Sequence, residues 1–242
     1  MKNIQEFLRK NMELAASDYK MIDAGDRILV GISGGADSLA LLKLLTLKKI
    51  FVPDDIEILA IHLDLGFTDD NREHIQGLEE YFAKIGCEYH IEKTDIGPYA
   101  HSDENLLNPC FLCSRIRRTK IFKIADERGC NKIAYGHHKD DIIETLLLNI
   151  FFGREISTMK PKQPLFDGRF HIIRPLAYVR EDVIKEYATQ EDFPVFDNDC
   201  PTSGSSKRQY IKDLLNSIEK DHPSVKKNIF NAMKRVKTDY LL

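Results

Sequence analysis

The feature that most constrains this chain is an apolar run, Arg27-Ile28-Leu29-Val30-Gly31-Ile32. It passes directly into Ser33-Gly34-Gly35-Ala36-Asp37-Ser38 and then into a strongly apolar stretch from Asp37 to Lys48. The run reads as a buried strand and the stretch as a helix, so the residues between them must turn the chain sharply. Glycines allow that turn and let the backbone approach an anion with no Cβ in the way. The N–H groups at the helix start then face the anion, assisted by the helix dipole. Ser33 and Ser38 add hydroxyl donors, and Asp37 is suited to hold a magnesium ion beside a nucleotide phosphate. The plain alternative is an ordinary turn with Asp37 or Ser38 as helix cap. The spacing is neither that of a Walker loop nor of a dinucleotide fingerprint.

Strands and helices go on alternating. Ile56–Leu63, Glu88–Lys93, Lys132–Gly136 and His171–Arg174 read as strands. Helices are expected over residues 1–22, 70–85, Cys113–Arg128, Asp140–Phe152, 180–191, 206–219 and 223–240, with loops at 94–109 and 157–169. This order predicts an α/β fold, Rossmann-like, with a mostly parallel sheet, helices on both faces and a helical C-terminal tail. Three parts are expected: an N-terminal helical segment (1–22), a nucleotide-binding domain (23–176) and a helical C-terminal region (177–242) carrying Cys200.

With 43% hydrophobic residues and a net charge of −3, the chain suits a soluble globular protein. No apolar run approaches the roughly 20 residues of a membrane span. The start lacks a secretory signal, so no membrane association and a cytoplasmic location are expected. Two basic regions stand out against the acidic total. One is Arg115, Arg117, Arg118, Lys120 and Lys123; the other is Lys207, Arg208, Lys226, Lys227, Lys234, Arg235 and Lys237. Each alone reads first as a solvated helix face, yet local patches of this kind are what phosphate contacts need.

Ser-Gly-Gly-x-Asp-Ser after the first strand resembles the signature of the PP-loop ATP pyrophosphatases. The later run Gly136-His137-His138-Lys139-Asp140-Asp141 resembles that family's second element, a strand end with His and acidic residues beside the nucleotide. The resemblance implies a fold of the adenine nucleotide alpha hydrolase type, with ATP and Mg2+ as cofactors. It implies ATP contacts from Ser33, Gly34, Gly35, Asp37, Ser38, Gly136 and Asp141. His62, at the end of the second strand, is expected either beside the nucleotide or as a polar residue of the strand edge.

Five cysteines in a chain without an export signal do not suggest disulfides. Cys110 and Cys113 are two residues apart at a loop-to-helix junction, where both sulfurs can reach one metal or cluster. The helix dipole and Arg115, Arg117 and Arg118 are expected to lower their thiol pKa. Zinc, redox chemistry and an iron–sulfur cluster all remain open on this spacing. Cys200 is the candidate third ligand, and with no fourth at matching spacing, three cysteines can hold a [4Fe–4S] cluster with one iron open. Cys87 and Cys130 read as small core residues.

The cysteines narrow the resemblance to the tRNA 2-thiolation enzymes, and within them to the 2-thiocytidine synthetase group. The matching stretches are Cys110–Arg118, Gly136–Asp141, Ile173–Tyr178 and Arg208–Leu215. Two departures stand out: Cys200 lacks the group's Cys-x-x-Cys-Gly-Ser context, and there are no zinc-finger arms. The resemblance implies a [4Fe–4S] cluster on Cys110, Cys113 and Cys200, and ATP-dependent adenylation of a pyrimidine C2 oxygen in tRNA. Sulfur then replaces that oxygen, cytidine in the anticodon loop being the first choice of target. Asp37 and Asp141 are expected near the metal ion, and Arg117 is expected to offset developing charge. The implied partners are tRNA, a sulfur donor (a persulfide-forming desulfurase or inorganic sulfide) and a second copy in a homodimer. The rival readings are 2-thiouridine or a cofactor precursor as substrate, a lysidine-synthetase-like ligase, and a nucleotide-binding regulator without catalysis.

Overall fold

The computed structural model describes residues 3–47, 55–68, 71–196, 200–202 and 206–240. The expected end of a helix at Lys48, the start of another at residue 70, and Asp199 beside Cys200 lie outside these residues. The chain forms two compact units, Met1–His138 with Lys160–Thr202, and Lys139–Met159 with Ser203–Leu242.

The first unit is built on a sheet of strands β1 (Arg27–Ile32), β2 (Glu57–Asp64), β3 (Glu88–Lys93), β4 (Lys132–Ala134), β5 (Lys162–Leu165) and β6 (Phe170–Ile173). Their order is β3-β2-β1-β4-β6-β5. All neighbours pair parallel except β5 with β6, so the fold is the α/β sheet expected. Side chains alternate between its faces. Ile28, Val30 and Ile32 join one core with α1 (Ile4–Asp18), α2 (Ala36–Thr46), α3 (Arg72–Ile85) and α7 (Glu181–Gln190). Leu29, with Leu59, Ile61 and Ile133, joins a second core with α4 (Ile96–Ala100) and α5 (Pro109–Glu127).

The apolar character of α2 has a direct cause, since Ser38–Leu42, Leu44 and Leu45 are all buried. Each leucine contributes about 1.5–3 kcal/mol on burial, enough to hold the glycine turn before the helix in place. At the opposite end of β1, buried Lys132 of β4 is ion-paired with buried Asp26 and, at 2.8 Å, with Asp23. Asn131 donates to Asp26 at 2.8 Å and accepts from the Arg27 amide at 3.0 Å. This polar clamp fixes β4 beside β1.

Some local expectations were wrong for identifiable reasons. Residues 94–109 are not one loop. They contain α4, and α5 begins at Pro109 rather than Cys113. Asn108 is its cap, with Oδ1 accepting from the Phe111 amide at 3.2 Å, and Pro109 takes the first helical position, where a missing N–H costs nothing. Residues 157–169 contain β5, whose Pro164 is tolerated because the strand lies at the sheet edge.

The second unit contains α6 (Lys139–Leu148), α8 (Lys207–Asp221) and α9 (Val225–Ala232). After α6 the chain widens into a π-turn over Asn149–Gly153 instead of continuing as α-helix to Phe152. The Asn149 amide there donates to Ser157 O and Oγ, both at 2.9 Å. The expected helix 223–240 is regular only over α9.

Asp26→Ala should destabilise the protein by about 3 kcal/mol, because it leaves the Lys132 charge short of its buried partner. Asp26→Ala/Lys132→Met should recover most of that in urea unfolding. A double variant as unstable as the single would contradict the clamp.

Candidate nucleotide and cysteine site

The turn after β1 sits where strand order reverses, with β2 on one side of β1 and β4 on the other. In open α/β sheets, ligands bind at the carboxyl ends of strands at such a switch point. Gly34 has φ +89°, a left-handed value suited to glycine, and a Cβ there would overlap the Phe196 ring. Ser38 Oγ accepts from the Ser33 amide at 3.1 Å and donates to Gly35 O at 2.9 Å. Ser33 Oγ accepts from the Gly35 amide at 3.3 Å. The hydroxyls therefore brace the turn.

The element after β4 presses against the turn. A Cβ on Gly136 would stand 2.8 Å from Asp37 C and 2.9 Å from both Asp37 O and Ser38 N. Only glycine allows that approach. His138, which is buried, has Nε2 3.8 Å from Asp37 Oδ1. The structure thus brings Gly34, Gly35, Asp37, Ser38 and Gly136 together.

His62 pairs in register with Ile32, and Nδ1 donates to Ile32 O at 3.0 Å. Burial pushes its pKa below the usual histidine value, so the ring is neutral with Nε2 left as an acceptor. Its ring meets Phe196 edge-on at 5.8 Å, and Phe196 also stacks on His74 at 4.4 Å and donates its amide to Gly34 O at 3.2 Å. Phe196 was not anticipated. Asp141 lies in the second unit, where Arg208 donates to its Oδ1 at 3.1 Å. Lys226 pairs with Asp140 at 3.2 Å and Glu219 at 2.9 Å.

Cys110 and Cys113 lie in the first turn of α5. Cys110 Sγ and Cys200 Sγ each stand 3.3 Å from Thr202 Oγ1. The Thr202 hydroxyl is also 3.5 Å from His101 Nε2, while His101 Nδ1 lies 3.0 Å from Gly97 O. A carbonyl can only accept, so His101 Nδ1 donates to Gly97 O. Cys110, Cys200 and His101 thus share the one Thr202 hydroxyl. Sequence reasoning missed Thr202 and His101, since neither has a signature outside this geometry.

Cys113 is under the electrostatic influence of both other thiols and of Arg117, one helical turn on. Its pKa is raised, first by burial, with Arg117 opposing; the expected lowering is not what the structure gives. Burial likewise pushes the Cys87 and Cys130 thiols up to about 11, consistent with inert core residues.

Among the described residues no three Cys, His, Asp or Glu side chains are gathered to hold one metal ion. Cys110 and Cys200 meet at one hydroxyl and Cys113 lies on the same helix as Cys110, and cysteine thiolates are the donors that an iron–sulfur cluster takes.

The profile of the PP-loop domain matches residues 3–218. The chain belongs to the PP-loop family. It is 38% identical to a tRNA-cytidine(32) 2-sulfurtransferase of Nitrosospira multiformis, over 97% of this chain and 78% of that protein. Against the enzyme of the same name from Burkholderia mallei, identity is 40% over 94% of this chain and 69% of the relative. Its branch of the family is therefore that of the tRNA-cytidine(32) 2-sulfurtransferases. In fold it is similar to the U34-tRNA thiolase NcsA from Methanococcus maripaludis, solved with its [4Fe-4S] cluster. That likeness has a TM-score of 0.76 at 24% identity, covering 96% of this chain and 79% of that one.

In this PP-loop protein Gly136→Ala should weaken ATP binding by roughly tenfold or more, since overpacking against backbone costs about 1–3 kcal/mol. Calorimetric titration measures this directly. Unchanged affinity in the folded variant would mean that the loop does not depend on the Gly136 contact.

Proposed function

We propose that this chain is an ATP-dependent tRNA sulfurtransferase of the cytoplasm that replaces the C2 oxygen of cytidine by sulfur, giving 2-thiocytidine. The carrying observation is that Cys110 and Cys200 meet at the Thr202 hydroxyl, with Cys113 on the same helix as Cys110, in a chain with the PP-loop turn. The names of its relatives, which act on cytidine 32 of tRNA, support the substrate.

In this reading the amides of Gly34, Gly35 and the start of α2 face the ATP phosphates, and Asp37 holds the accompanying Mg2+. Gly136 keeps the backbone after β4 close enough to shape the nucleotide site. The cytidine C2 oxygen attacks the α-phosphate, pyrophosphate leaves, and the bound adenylate makes that oxygen a good leaving group. Cys110, Cys113 and Cys200 would hold a [4Fe–4S] cluster, which when bound would supply the means of carrying the sulfur. Sulfur replaces the oxygen at C2, and AMP departs with it. Arg117, one helical turn on from Cys113, is assigned to offset charge that develops between the thiols and the nucleotide; its electrostatic influence on both Cys113 and His62 supports this. Inorganic sulfide supplies the sulfur directly, or a desulfurase persulfide supplies it together with two electrons from a thiol reductant that releases the carrier cysteine, and the working form is a homodimer.

Cells lacking the gene should lose 2-thiocytidine from tRNA, read by mass analysis of nucleosides. A plasmid encoding Cys200→Ser should fail to restore it, whereas Cys87→Ser should succeed. Undiminished 2-thiocytidine in the deletion strain would contradict the proposal.

A further inference from the structure

Phe111, Arg115, Arg118 and Phe122 recur at helical spacing along one face of α5. With Phe166, at the turn between β5 and β6, they line an open groove of about 450 Å³. Phe166 is 62% exposed and has φ +51°, and Asp167 after it has φ +55°. A bulky side chain in the left-handed region is strained, and turns of this kind favour glycine or asparagine. The Phe122 ring meets Phe166 edge-on, at 5.4 Å and 90°, which fixes its orientation. Phe111, on the opposite wall, is 55% exposed. The protein thus keeps two aromatic faces in water, one on an unfavourable backbone.

The charge on this face is unusual too. Lys120 and Lys123 of the same helix pair with Glu92 and Glu127. No carboxylate among the described residues pairs with Arg115 or Arg118, both exposed. Unneutralised guanidinium groups between aromatic faces match a nucleotide, which brings a flat base and a phosphate together. An apolar protein segment would leave both arginines uncompensated.

We infer that this groove holds one unpaired nucleotide of the RNA substrate, its base stacked on Phe166 and Phe111 and its phosphate held by Arg115 and Arg118. This rests on the tRNA reading above and adds where the RNA is gripped. Stacking of this kind tolerates any base, so the groove contributes affinity and register rather than recognition of sequence.

The test is fluorescence anisotropy of a labelled tRNA anticodon stem-loop with the full chain over a salt series. Phe166→Ala should weaken binding by roughly fivefold to a hundredfold, the worth of one base stack, with an unchanged salt slope. Phe166→Trp should restore affinity. Arg115→Ala/Arg118→Ala should flatten the plot of log affinity against log salt by roughly 1 to 2. Wild-type affinity in Phe166→Ala, or equal weakness in Phe166→Ala and Phe166→Trp, would overturn the groove alone. Absence of RNA binding by the wild type would overturn the tRNA reading together with it.

Discussion

The contact on which the site depends is that of Gly136 against the backbone of Asp37 and Ser38. It exists because β4 is hydrogen-bonded beside β1, and their following segments leave the sheet at the same edge. The Lys132–Asp26 pair holds the far end of the two strands, and the buried face of α2 holds the turn. A nucleotide loop in this fold is therefore a consequence of strand order and of one missing Cβ, more than of any single donor.

Helix α5 carries the second half of the proposed chemistry. Its cap, Asn108 with Pro109, starts the helix early enough to put both Cys110 and Cys113 in the first turn. Cys113 and Arg117, four residues apart, then share one side. Phe111, Arg115, Arg118 and Phe122 follow the neighbouring side. Cys200 comes from a distant part of the chain, and Thr202 two residues on gives it and Cys110 a common hydrogen-bond partner. One helix thus serves both the thiols and the proposed grip on RNA.

The alternation of strands and helices, the Ser33–Ser38 turn and the Cys110–Cys113 pair were legible because each depends on spacing within a short window. Residues that act through the fold were not. Thr202, His101 and Phe196 are ordinary residues until the chain brings them to Cys110, Cys200 and Gly34. Proline misled twice: Pro109 opens α5 and Pro164 sits in an edge strand, where lost N–H bonds do not matter. The Cys113 thiol shows a further limit. Nearby arginines suggested an acidic thiol, but burial, invisible in sequence, outweighs Arg117.

The central claim is that the PP-loop turn cleaves ATP between its α and β phosphates to activate an RNA oxygen. The direct measurement follows the fate of α-phosphate-labelled ATP with reconstituted protein and unmodified tRNA. The account predicts AMP and pyrophosphate, formed only when tRNA is present and in step with sulfur incorporation. Release of ADP and inorganic phosphate, or cleavage at the same rate without tRNA, would contradict it.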